Sequence, residues 1–328
     1  MTTPAAILWR DEDVRGFGMA VGGPGKVFRP TTQEQVADAF ADVQRRGGTL
    51  ALRGSGCSYG DAATNRDGYV LDLSRLNRVL GFDPATGVAT VEPGVTVRDL
   101  WRQAISFGYW PKVVSGTAAV SMGGAAAMNI HGKNNYALGT FGECVRSFDL
   151  LTPRGELLHV TRERDPELFF AAISGFGMLG CMTRLEIETK RVHSGRLRVW
   201  GIVADDLAHN LQLLEDLRGT ADYLVSWLDL HAKGAGLGRG IMHRADQLAP
   251  GEDPTGLRYY DPALQDVPTK MFGLVPKGWL WPGMWCALQS GQVGLVNALK
   301  FRAGRSEQRN SPYLQTHGAF HFLLDYVP

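Results

Sequence analysis

The chain has 328 residues, and its 34 Lys and Arg nearly balance 33 Asp and Glu, which gives a formal net charge of +1. This balance argues against a dedicated nucleic-acid binder and against a polybasic membrane anchor. The hydrophobic share of 44% is that of ordinary globular proteins, and the length predicts two domains. Glycine is enriched, with 41 copies, which favours loops whose backbone approaches a ligand.

The sequence predicts a cytoplasmic protein with reduced thiols. Its N-terminus has no basic region before an apolar stretch, and no window approaches 18 uninterrupted apolar residues. The four cysteines, at positions 57, 144, 181 and 286, form no CxxC pair and indicate no disulfide framework. No HExxH or other metal-ligand spacing occurs, so we expect no metal site.

The first half of the chain alternates between predicted strands and helices. A capping box at 31–34 starts a helix that ends at Gly47, and further helices are expected at 97–107 and 165–173. Turn signals at 83–87 and 152–155 predict two hairpins. The predicted strands are 26–29, 49–53, 69–73, 79–82, 88–91, 145–151, 156–160 and 182–189. Residues 1–192 are therefore expected to form one α+β domain.

The composition changes after residue 192, and we expect a second, α+β domain over residues 193–328. The patterns predict a helix within 201–218 and a strand over 223–231. A proline-rich stretch follows at 249–283, with a strongly apolar tip at 272–282. The sequence stops in an apolar, strand-like run at 321–328.

Residues 53–61 form the first of three glycine-bearing segments, with the sequence RGSGCSYGD directly after a predicted buried strand. Successive small residues let backbone N–H groups converge on an anion. A tight glycine-rich turn without a ligand is the alternative.

Residues 115–134 form the second segment, SGTAAVSMGGAAAMNIHGKN. Its glycine pair predicts a helix start that packs against a flat ligand, with the first amides facing phosphate. Taken alone, His131 fits a hydrogen-bonded structural histidine better than a catalytic one. Lys133 lies between two glycine-rich, largely buried stretches, so its charge requires an anionic or polar partner.

Residues 175–180 form the third segment, GFGMLG, which matches GxGxxG literally. A dinucleotide fingerprint of the Rossmann type needs a strand before it and a helix after it. Here a predicted helix precedes the segment and a predicted strand follows it. The order therefore favours a glycine-rich turn against which a cofactor lies.

Together these segments resemble the flavoprotein superfamily of vanillyl-alcohol oxidase and p-cresol methylhydroxylase (PCMH). Within it, HGKN at 131–134 and the sequence GTFGECVRSFDLLT at 139–152 are similar to the decaprenylphosphoryl-β-D-ribose 2′-oxidase family. The resemblance runs from about Trp9 to the end of the chain. It implies a two-subdomain PCMH-type FAD-binding domain over 1–192, followed by an incomplete α+β substrate (cap) domain over 193–328.

The resemblance also implies the cofactor, FAD, and the residues that bind it. The segment 53–61 would wrap the pyrophosphate, the second segment would line the same cofactor, and Met182 would contact it through its backbone. The implied cofactor-binding residues are Arg53, Gly54, Ser55, Gly56, Cys57, Ser58, Tyr59, Gly60, Asp61, Gly116, Ser121, Met122, Gly123, Gly124, Asn129, His131 and Met182.

The same resemblance implies the catalytic and substrate residues. Tyr59 and Lys133 would face the substrate at the flavin ring, with His131 beside the flavin. Trp227 would border a sugar pocket. The implied reaction is oxidation of a sugar's secondary alcohol, in particular the 2′-hydroxyl of decaprenylphosphoryl-β-D-ribose, as the first half of an epimerisation that supplies cell-wall arabinan.

This sequence departs from the family pattern in two ways. Many superfamily members bind FAD covalently through a histidine at the position of Cys57, so the thiol predicts non-covalent FAD. The family's substrate domain also continues past the position of Pro328 and brings further pocket residues, a lysine among them. We therefore expect the 328-residue sequence to be C-terminally truncated relative to the family.

The implied partners are a polyprenyl-phosphate sugar and a separate short-chain reductase that acts on the keto product. The apolar tip at 272–282 is expected either to dock a polyprenyl tail or membrane surface, which would make the protein peripheral to the inner membrane, or to cover the pocket as a loop. Two other functions stay open: an FAD-linked alditol or sugar oxidase that uses O2, and a flavin-binding fragment without activity.

Overall fold

The computed structural model describes residues 7–266, 270–271, 275–276, 292–307, 312–322 and 325. The chain divides into two compact units. Unit 1 comprises Met1–Val113, Ala118–His131 and Thr140–Lys190, and unit 2 comprises Val114–Thr117, Gly132–Gly139 and Arg191–Pro328. Helices and strands occur in both units, so the fold class is α+β, as predicted.

The strands are numbered in chain order. They are β1 (Arg10–Arg15), β2 (Gly22–Phe28), β3 (Leu50–Arg53), β4 (Tyr69–Asp72), β5 (Val79–Asp83), β6 (Val88–Val91), β7 (Tyr109–Pro111), β8 (Val145–Leu151), β9 (Leu157–Thr161), β10 (Cys181–Arg191), β11 (Arg196–Ala204), β12 (Tyr223–Leu228), β13 (Gly240–Gln247), β14 (Lys270–Met271), β15 (Val275–Pro276) and β16 (Tyr313–Thr316).

The α-helices are α1 (Gln33–Arg45), α2 (Val97–Ile105), α3 (Met122–Ala127), α4 (Asn135–Leu138), α5 (Pro166–Ala172), α6 (Leu207–Leu217), α7 (Val293–Glu307) and α8 (His317–His321).

The first sheet of unit 1 has the strand order β1-β2-β4-β3, in which β2, β4 and β3 run parallel. Helix α1 packs its apolar side, with Val36 and Phe40, against Leu71 and Leu73. The helix begins at Thr32, whose hydroxyl accepts a hydrogen bond from Gln35 N at 3.3 Å. The N-cap is thus one residue later than Thr31, where the predicted box begins, because Thr32 has the extended backbone of a cap and makes the capping hydrogen bond.

The second sheet of unit 1 has the order β5-β6-β10-β8-β9, with β7 beside β10. Both predicted hairpins are present, as β5–β6 and β8–β9. In the first turn Gly87 has φ +72 and donates its N–H to Asp83 O at 2.7 Å. Strand β10 is the longest strand, and its alternation buries Leu185 and Ile187 in the core.

Unit 2 is built on an antiparallel sheet of order β12-β13-β11-β16. One face packs Val199, Tyr223 and Ala245 against Phe320 of α8. The other face packs Leu224 and Met242 against α6. The two faces alternate along each strand, as the pleat requires.

Three further expectations differ from the structure. The predicted strand at 223–231 ends at Leu228, where a turn begins. The strand-like run at 321–328 has no strand among its described residues, because His321 instead ends α8. Residues 114–117 and 132–139, expected within the first domain, pack with unit 2 and carry Gly116 and Lys133 into it.

Candidate functional site

The predicted phosphate loop, 53–61, follows β3 as an irregular segment of unit 1. Across the described chain, no acceptor pairs with the backbone N–H groups of Gly56, Ser58, Tyr59, Gly60 or Asp61. The loop is held from outside, since Phe17 N donates to Ser58 O at 2.8 Å. Several N–H groups are thus presented together without internal partners, as an anion-binding loop requires.

Gly56 and Arg53 determine the shape of this loop. Gly56 has φ +69, a backbone conformation that residues with a side chain rarely adopt. A Cβ at Gly56 would overlap with the guanidinium of Arg53, which donates to Ala63 O at 3.2 Å. The loop therefore folds closely over a permanent positive charge. N–H donors around a guanidinium fit the negative charge of a pyrophosphate.

Ser121 joins the second glycine segment to this loop within unit 1. Its side chain is 2% exposed and its Oγ accepts a hydrogen bond from Ser55 N at 3.3 Å. A Cβ at Gly54 would overlap with Ser121 Oγ and would lie 3.8 Å from Gly124 N. The close approach of the two segments therefore depends on glycine at position 54.

The predicted role of the first amides of α3 is wrong for two residues. Met122 N donates to Val95 O at 2.7 Å, and Gly123 N donates to Pro93 O at 2.9 Å. These amides serve the fold and do not face phosphate. Gly124 N has no such acceptor among the described residues. Whether Met122 and Gly123 line the cofactor in another way stays a prediction.

The third glycine segment packs against the other two in unit 1. It follows α5 and precedes β10, in agreement with the predicted order of elements and not with a Rossmann fingerprint. Ser174 N and Phe176 N donate to Ala126 O and Ala127 O at the end of α3, at 3.1 and 3.0 Å. A Cβ at Gly177 would meet the Leu52 side chain of β3 at 3.1 Å. The fold thus brings all three segments together.

The remaining predicted flavin residues of unit 1 have different surroundings. Asn129 has φ +44, and its Oδ1 accepts a hydrogen bond from Gly142 N at 2.9 Å, so this side chain fixes the backbone. His131 is exposed, and its imidazole has no hydrogen-bond partner within the described part of the chain. It is therefore not the hydrogen-bonded structural histidine that its sequence position suggested. Met182 is buried at the start of β10.

Tyr59 and Cys57 lie on the accessible side of the phosphate loop. Tyr59 is 65% exposed, and its ring meets Phe17 edge-on at 5.3 Å. Cys57 is half-buried. Burial raises the pKa of the Cys144 and Cys181 thiols to about 12, so those two are unreactive.

Lys133 is the predicted catalytic residue of unit 2, where its ammonium is largely enclosed. Its Nζ donates to Phe320 O at 3.1 Å and to His321 O at 2.6 Å, and it lies 5.3 Å from the centre of the Phe320 ring. Burial lowers its pKa to about 8. Lys133 thus has polar partners, but no acid pairs with it among the described residues.

The segment that holds Lys133 is fixed to the unit 2 sheet. Leu224 N of β12 donates to Lys133 O at 2.8 Å, and Tyr136 Oη donates to Ala221 O at 3.0 Å. Gly116 belongs to the other short segment of unit 2, in which Thr117 Oγ1 donates to Asp325 Oδ1 at 2.6 Å. Both segments are therefore tied to residues far along the chain.

Trp227 lies on β12 and is half-buried. Lys300, on α7, places its Nζ 4.3 Å from the centre of the Trp227 ring. His243, on β13, lies near both lysines. Burial, followed by the charges of Lys300 and Lys133, lowers the pKa of its imidazole. Sequence analysis missed Lys300 and His243, because neither α7 nor β13 was predicted. The alternation of Ile241, His243 and Ala245 was the one signal available for β13.

A polar groove of about 480 Å³ lies on the second sheet of unit 1. None of the predicted site residues lines it. Its lining residues are Glu143, Val145, Arg146, Ser147, His159, Thr161, Arg162, Glu163, Glu186 and Glu188. Most of these charges neutralise one another, for example Arg146 with Glu188 and Arg162 with Glu143.

Two further features of the described ranges concern metal binding and membrane crossing. No group of three or more His, Cys, Asp or Glu side chains there has the arrangement to hold a metal ion. No helix there combines the length and the apolar content that crossing a membrane requires. The apolar tip predicted to dock a lipid, 272–282, lies outside the described residues except for Val275–Pro276.

Comparison with known proteins agrees with the arrangement of unit 1. The model of a family described as FAD binding domain matches residues 24–161. This range contains the phosphate loop, Ser121 and His131. The match indicates FAD, whose pyrophosphate is an anion of the kind that the loop geometry fits.

Individual relatives cover more of the chain. The decaprenylphosphoryl-β-D-ribose oxidase of Mycolicibacterium smegmatis is 32% identical over 81% of this chain and 61% of its own length. An L-gulono-1,4-lactone dehydrogenase of Mycobacterium tuberculosis is 31% identical over 52% of this chain and 39% of its own. A D-arabinono-1,4-lactone oxidase of Eremothecium gossypii is 29% identical over 52% of this chain and 32% of its own.

The chain therefore spans less than two thirds of the length of these relatives. All three are oxidases or dehydrogenases by name. The cofactor of this protein is FAD, and the chain is a relative of FAD-dependent oxidoreductases that carries their FAD-binding domain at residues 24–161.

Proposed function

We propose that this protein oxidises a secondary hydroxyl of a phosphorylated sugar, and specifically the 2′-hydroxyl of decaprenylphosphoryl-β-D-ribose to the ketone. Similarity to an oxidase of that name over 81% of the chain supports the substrate. The structural observation that carries the proposal is Lys133, a largely enclosed amine whose partners among the described residues are two carbonyls and no acid. Such a group has capacity left for a polar or anionic substrate.

The role of the phosphate loop is to bind the cofactor. The backbone N–H groups of Gly56 and of residues 58–61, together with the guanidinium of Arg53, would hold the pyrophosphate of FAD, and Gly54 and Ser121 keep the loop closed around it. When bound, FAD supplies the two-electron acceptor for the hydride that leaves the sugar carbon. The absence of a histidine at position 57 supports non-covalent binding.

Lys133 is proposed to hold the substrate hydroxyl and to receive its proton. Two of its three N–H positions donate to carbonyls, which fixes the nitrogen and leaves one position for substrate. With a pKa of about 8, about one molecule in ten carries a neutral amine at pH 7. That fraction can accept a proton at Nζ as the C–H bond of the alcohol breaks.

Tyr59, His131 and Trp227 are proposed to orient the substrate. Tyr59 and His131 are exposed in unit 1, so their hydrogen-bonding groups are available to a ligand. Trp227 would border the sugar from the unit 2 sheet. All three roles rest on the family resemblance, and those of Tyr59 and His131 rest also on their exposure.

A second candidate function is oxidation of a soluble sugar or lactone, with O2 as acceptor. The two lactone enzymes among the relatives favour it, since they match about half of this chain at 31% and 29% identity. Peroxide formation on an unphosphorylated sugar or lactone distinguishes it. A flavin-binding chain without turnover is the third possibility, and it predicts bound FAD that no sugar reduces.

The proposal also includes partners and location. A keto sugar product requires a reductase to complete an epimerisation, and a separate short-chain reductase would supply that step. A polyprenyl carrier places the substrate at a membrane surface. We propose a cytoplasmic protein with peripheral contact to the inner membrane through 272–282.

The test is anaerobic reduction of the bound flavin by candidate substrates. A polyprenylphosphoryl ribose should bleach the visible flavin absorbance, whereas its 2′-deoxy analogue should not. Bleaching by the 2′-deoxy analogue would exclude the 2′-hydroxyl as the reacting group. Bleaching by an unphosphorylated lactone alone, with peroxide in air, would replace the proposal with the second candidate.

A further inference from the structure

One face of the unit 2 sheet carries three basic groups. Val225 pairs with His243 and Trp227 with Ile241 across β12 and β13, so these side chains share that face. Helix α7 covers the same face, because a Cβ at Gly304 would overlap with the Ile241 side chain. From this helix the Lys300 ammonium lies over the Trp227 ring at 4.3 Å.

The three groups interact electrostatically. Burial and the nearby charges of Lys300 and Lys133 lower the pKa of His243. Burial alone accounts for the lowered pKa values of Lys133 and Lys300. Among the described residues, no carboxylate contributes to the pKa shifts of these three groups.

No hydrogen bond within the described ranges occupies either imidazole nitrogen of His243. Its neighbour across the β11–β13 ladder is Gly201, which carries no side chain. Among the described residues, a Cβ at Gly201 would meet a single atom within 4 Å, Ile241 Cγ2 at 3.9 Å. The imidazole nitrogens are therefore available to a ligand, beside a strand position that no side chain fills.

Because its pKa is lowered from 6.5, the His243 imidazole is mostly neutral at pH 7 beside the two ammonium groups, and a bound anion favours its protonated form. Phosphate is suited to this arrangement, because its oxygens accept charge-assisted hydrogen bonds from several donors at once. Since Lys133 donates to two carbonyls and keeps its remaining position for the substrate hydroxyl, the donors left for phosphate are His243 and Lys300. The Trp227 ring holds the Lys300 ammonium by a cation–π contact and so positions it.

We infer that His243 and Lys300, beside Lys133, form an anion subsite in unit 2 that binds the phosphate group of a phosphorylated sugar. Trp227 is its positioning residue. The inference deepens the proposed function and rests on it for the identity of the sugar, whereas the anion subsite itself depends only on unit 2. It assigns roles to Lys300 and His243, which neither the motifs nor the comparisons single out.

The test compares binding of ribose 1-phosphate, ribose and inorganic phosphate to the FAD-loaded protein by calorimetry. We expect ribose 1-phosphate to bind more tightly than ribose and to compete with inorganic phosphate. Lys300→Gln and His243→Gln should each weaken ribose 1-phosphate about tenfold and leave ribose within about twofold. In the NMR titration of the wild type, ribose 1-phosphate should raise the pKa of the His243 imidazole.

Lys233→Gln is the matched control, because Lys233 is an exposed lysine of unit 2 that no ion pair engages among the described residues. Lys233→Gln should bind ribose 1-phosphate and ribose as the wild type does. The weaker binding of ribose 1-phosphate to Lys300→Gln would then not be explained by the change in net charge. Wild-type affinity for ribose 1-phosphate in both Lys300→Gln and His243→Gln would overturn the subsite.

Failure of the subsite and failure of the proposed function give different results. If Lys300→Gln weakens ribose 1-phosphate but no polyprenylphosphoryl ribose bleaches the flavin, the subsite stands and the reaction is wrong. If the flavin is bleached and neither variant affects ribose 1-phosphate binding, the reaction stands and the subsite is wrong.

Discussion

The phosphate loop of unit 1 and the anion subsite of unit 2 are both suited to negative charge, but they are built differently. The loop presents backbone N–H groups of residues close in sequence, and its shape depends on glycine. The subsite uses side chains from two distant stretches of the chain, at 243 and 300, placed by a sheet and a helix.

This difference has a functional meaning. A backbone cradle binds phosphate oxygens with fixed donors whose positive character does not depend on pH, which suits a cofactor that stays bound. Lysine and histidine side chains change charge with pH and with occupancy, which suits a ligand that must arrive and leave. Substitutions in the two regions should therefore fail in different ways.

The largest effect is expected from Gly56→Val, which should abolish FAD binding while the fold is retained. The new side chain would overlap with the Arg53 guanidinium, and φ +69 is strained for a β-branched residue. The flavin-to-protein ratio after gel filtration measures the loss, with far-UV circular dichroism to monitor folding. Gly81→Val is the control, because a Cβ at Gly81 meets nothing within 4 Å. Full flavin content in Gly56→Val would mean that the pyrophosphate lies elsewhere.

Denaturation is expected to release all of the flavin from the protein. Cys57 cannot form the histidyl bond of many relatives in the superfamily, and the loop offers hydrogen bonds and charge only. Acid denaturation followed by centrifugation should leave all flavin in the supernatant. Flavin that stays in the pellet after washing in denaturant would contradict non-covalent binding.

In unit 2, Lys133→Ala should leave FAD bound and lower kcat/KM on the phosphorylated sugar. The loss of a charge-assisted hydrogen bond of about 1.5–3 kcal/mol corresponds to about one to two orders of magnitude. Lys233→Ala serves as the exposed control. If Lys133 only supports the fold through Phe320 O and His321 O, the melting temperature falls and the kinetics stay near normal. That result would remove Lys133 from the site.

The regions also differ in how well their sequences predict them. The phosphate loop was predictable because glycine, serine and a preceding strand are adjacent in the chain. The interactions of the α3 amides could not be predicted in this way. Their acceptors, Val95 O and Pro93 O, come close to Met122 N and Gly123 N only in the folded chain. The glycines around Lys133 marked it in the sequence as a candidate site residue. Lys300 and His243 could be identified only from the structure, in which α7 packs on the face of the unit 2 sheet that carries His243. Side-chain sites built across distant elements have no local signature.

The enclosed ammonium of Lys133 should also make stability depend on pH. Its pKa falls from 10.5 to about 8 on folding, which corresponds to about 3 kcal/mol at most. Below pH 8 both folded and unfolded chains bind the proton, so the penalty is fully present. Between pH 8 and 10.5 the unfolded chain binds more protons, so stability rises with pH. In urea unfolding, the free energy of unfolding of the wild type should therefore rise relative to that of Lys133→Met between pH 8 and 10.5. A difference that is flat with pH would mean that the ammonium is not desolvated.

The smallest effect is expected from Ser121→Ala, which removes an acceptor from the phosphate loop without filling space. Ser121 Oγ accepts from Ser55 N at 3.3 Å, a long hydrogen bond, so its loss should cost about 0.5–1.5 kcal/mol. FAD affinity, measured by fluorescence titration of the apoprotein, should then fall by about threefold to tenfold. Ser106→Ala is a matched control, since Ser106 is exposed and its hydroxyl makes no hydrogen bond within the described chain. Because the N–H groups at 56–61 stay in place, Ser121→Ala should weaken FAD binding but not abolish it. Complete loss of FAD would mean that the loop depends on this one side chain, and the contrast between a backbone cradle and a side-chain subsite would no longer hold.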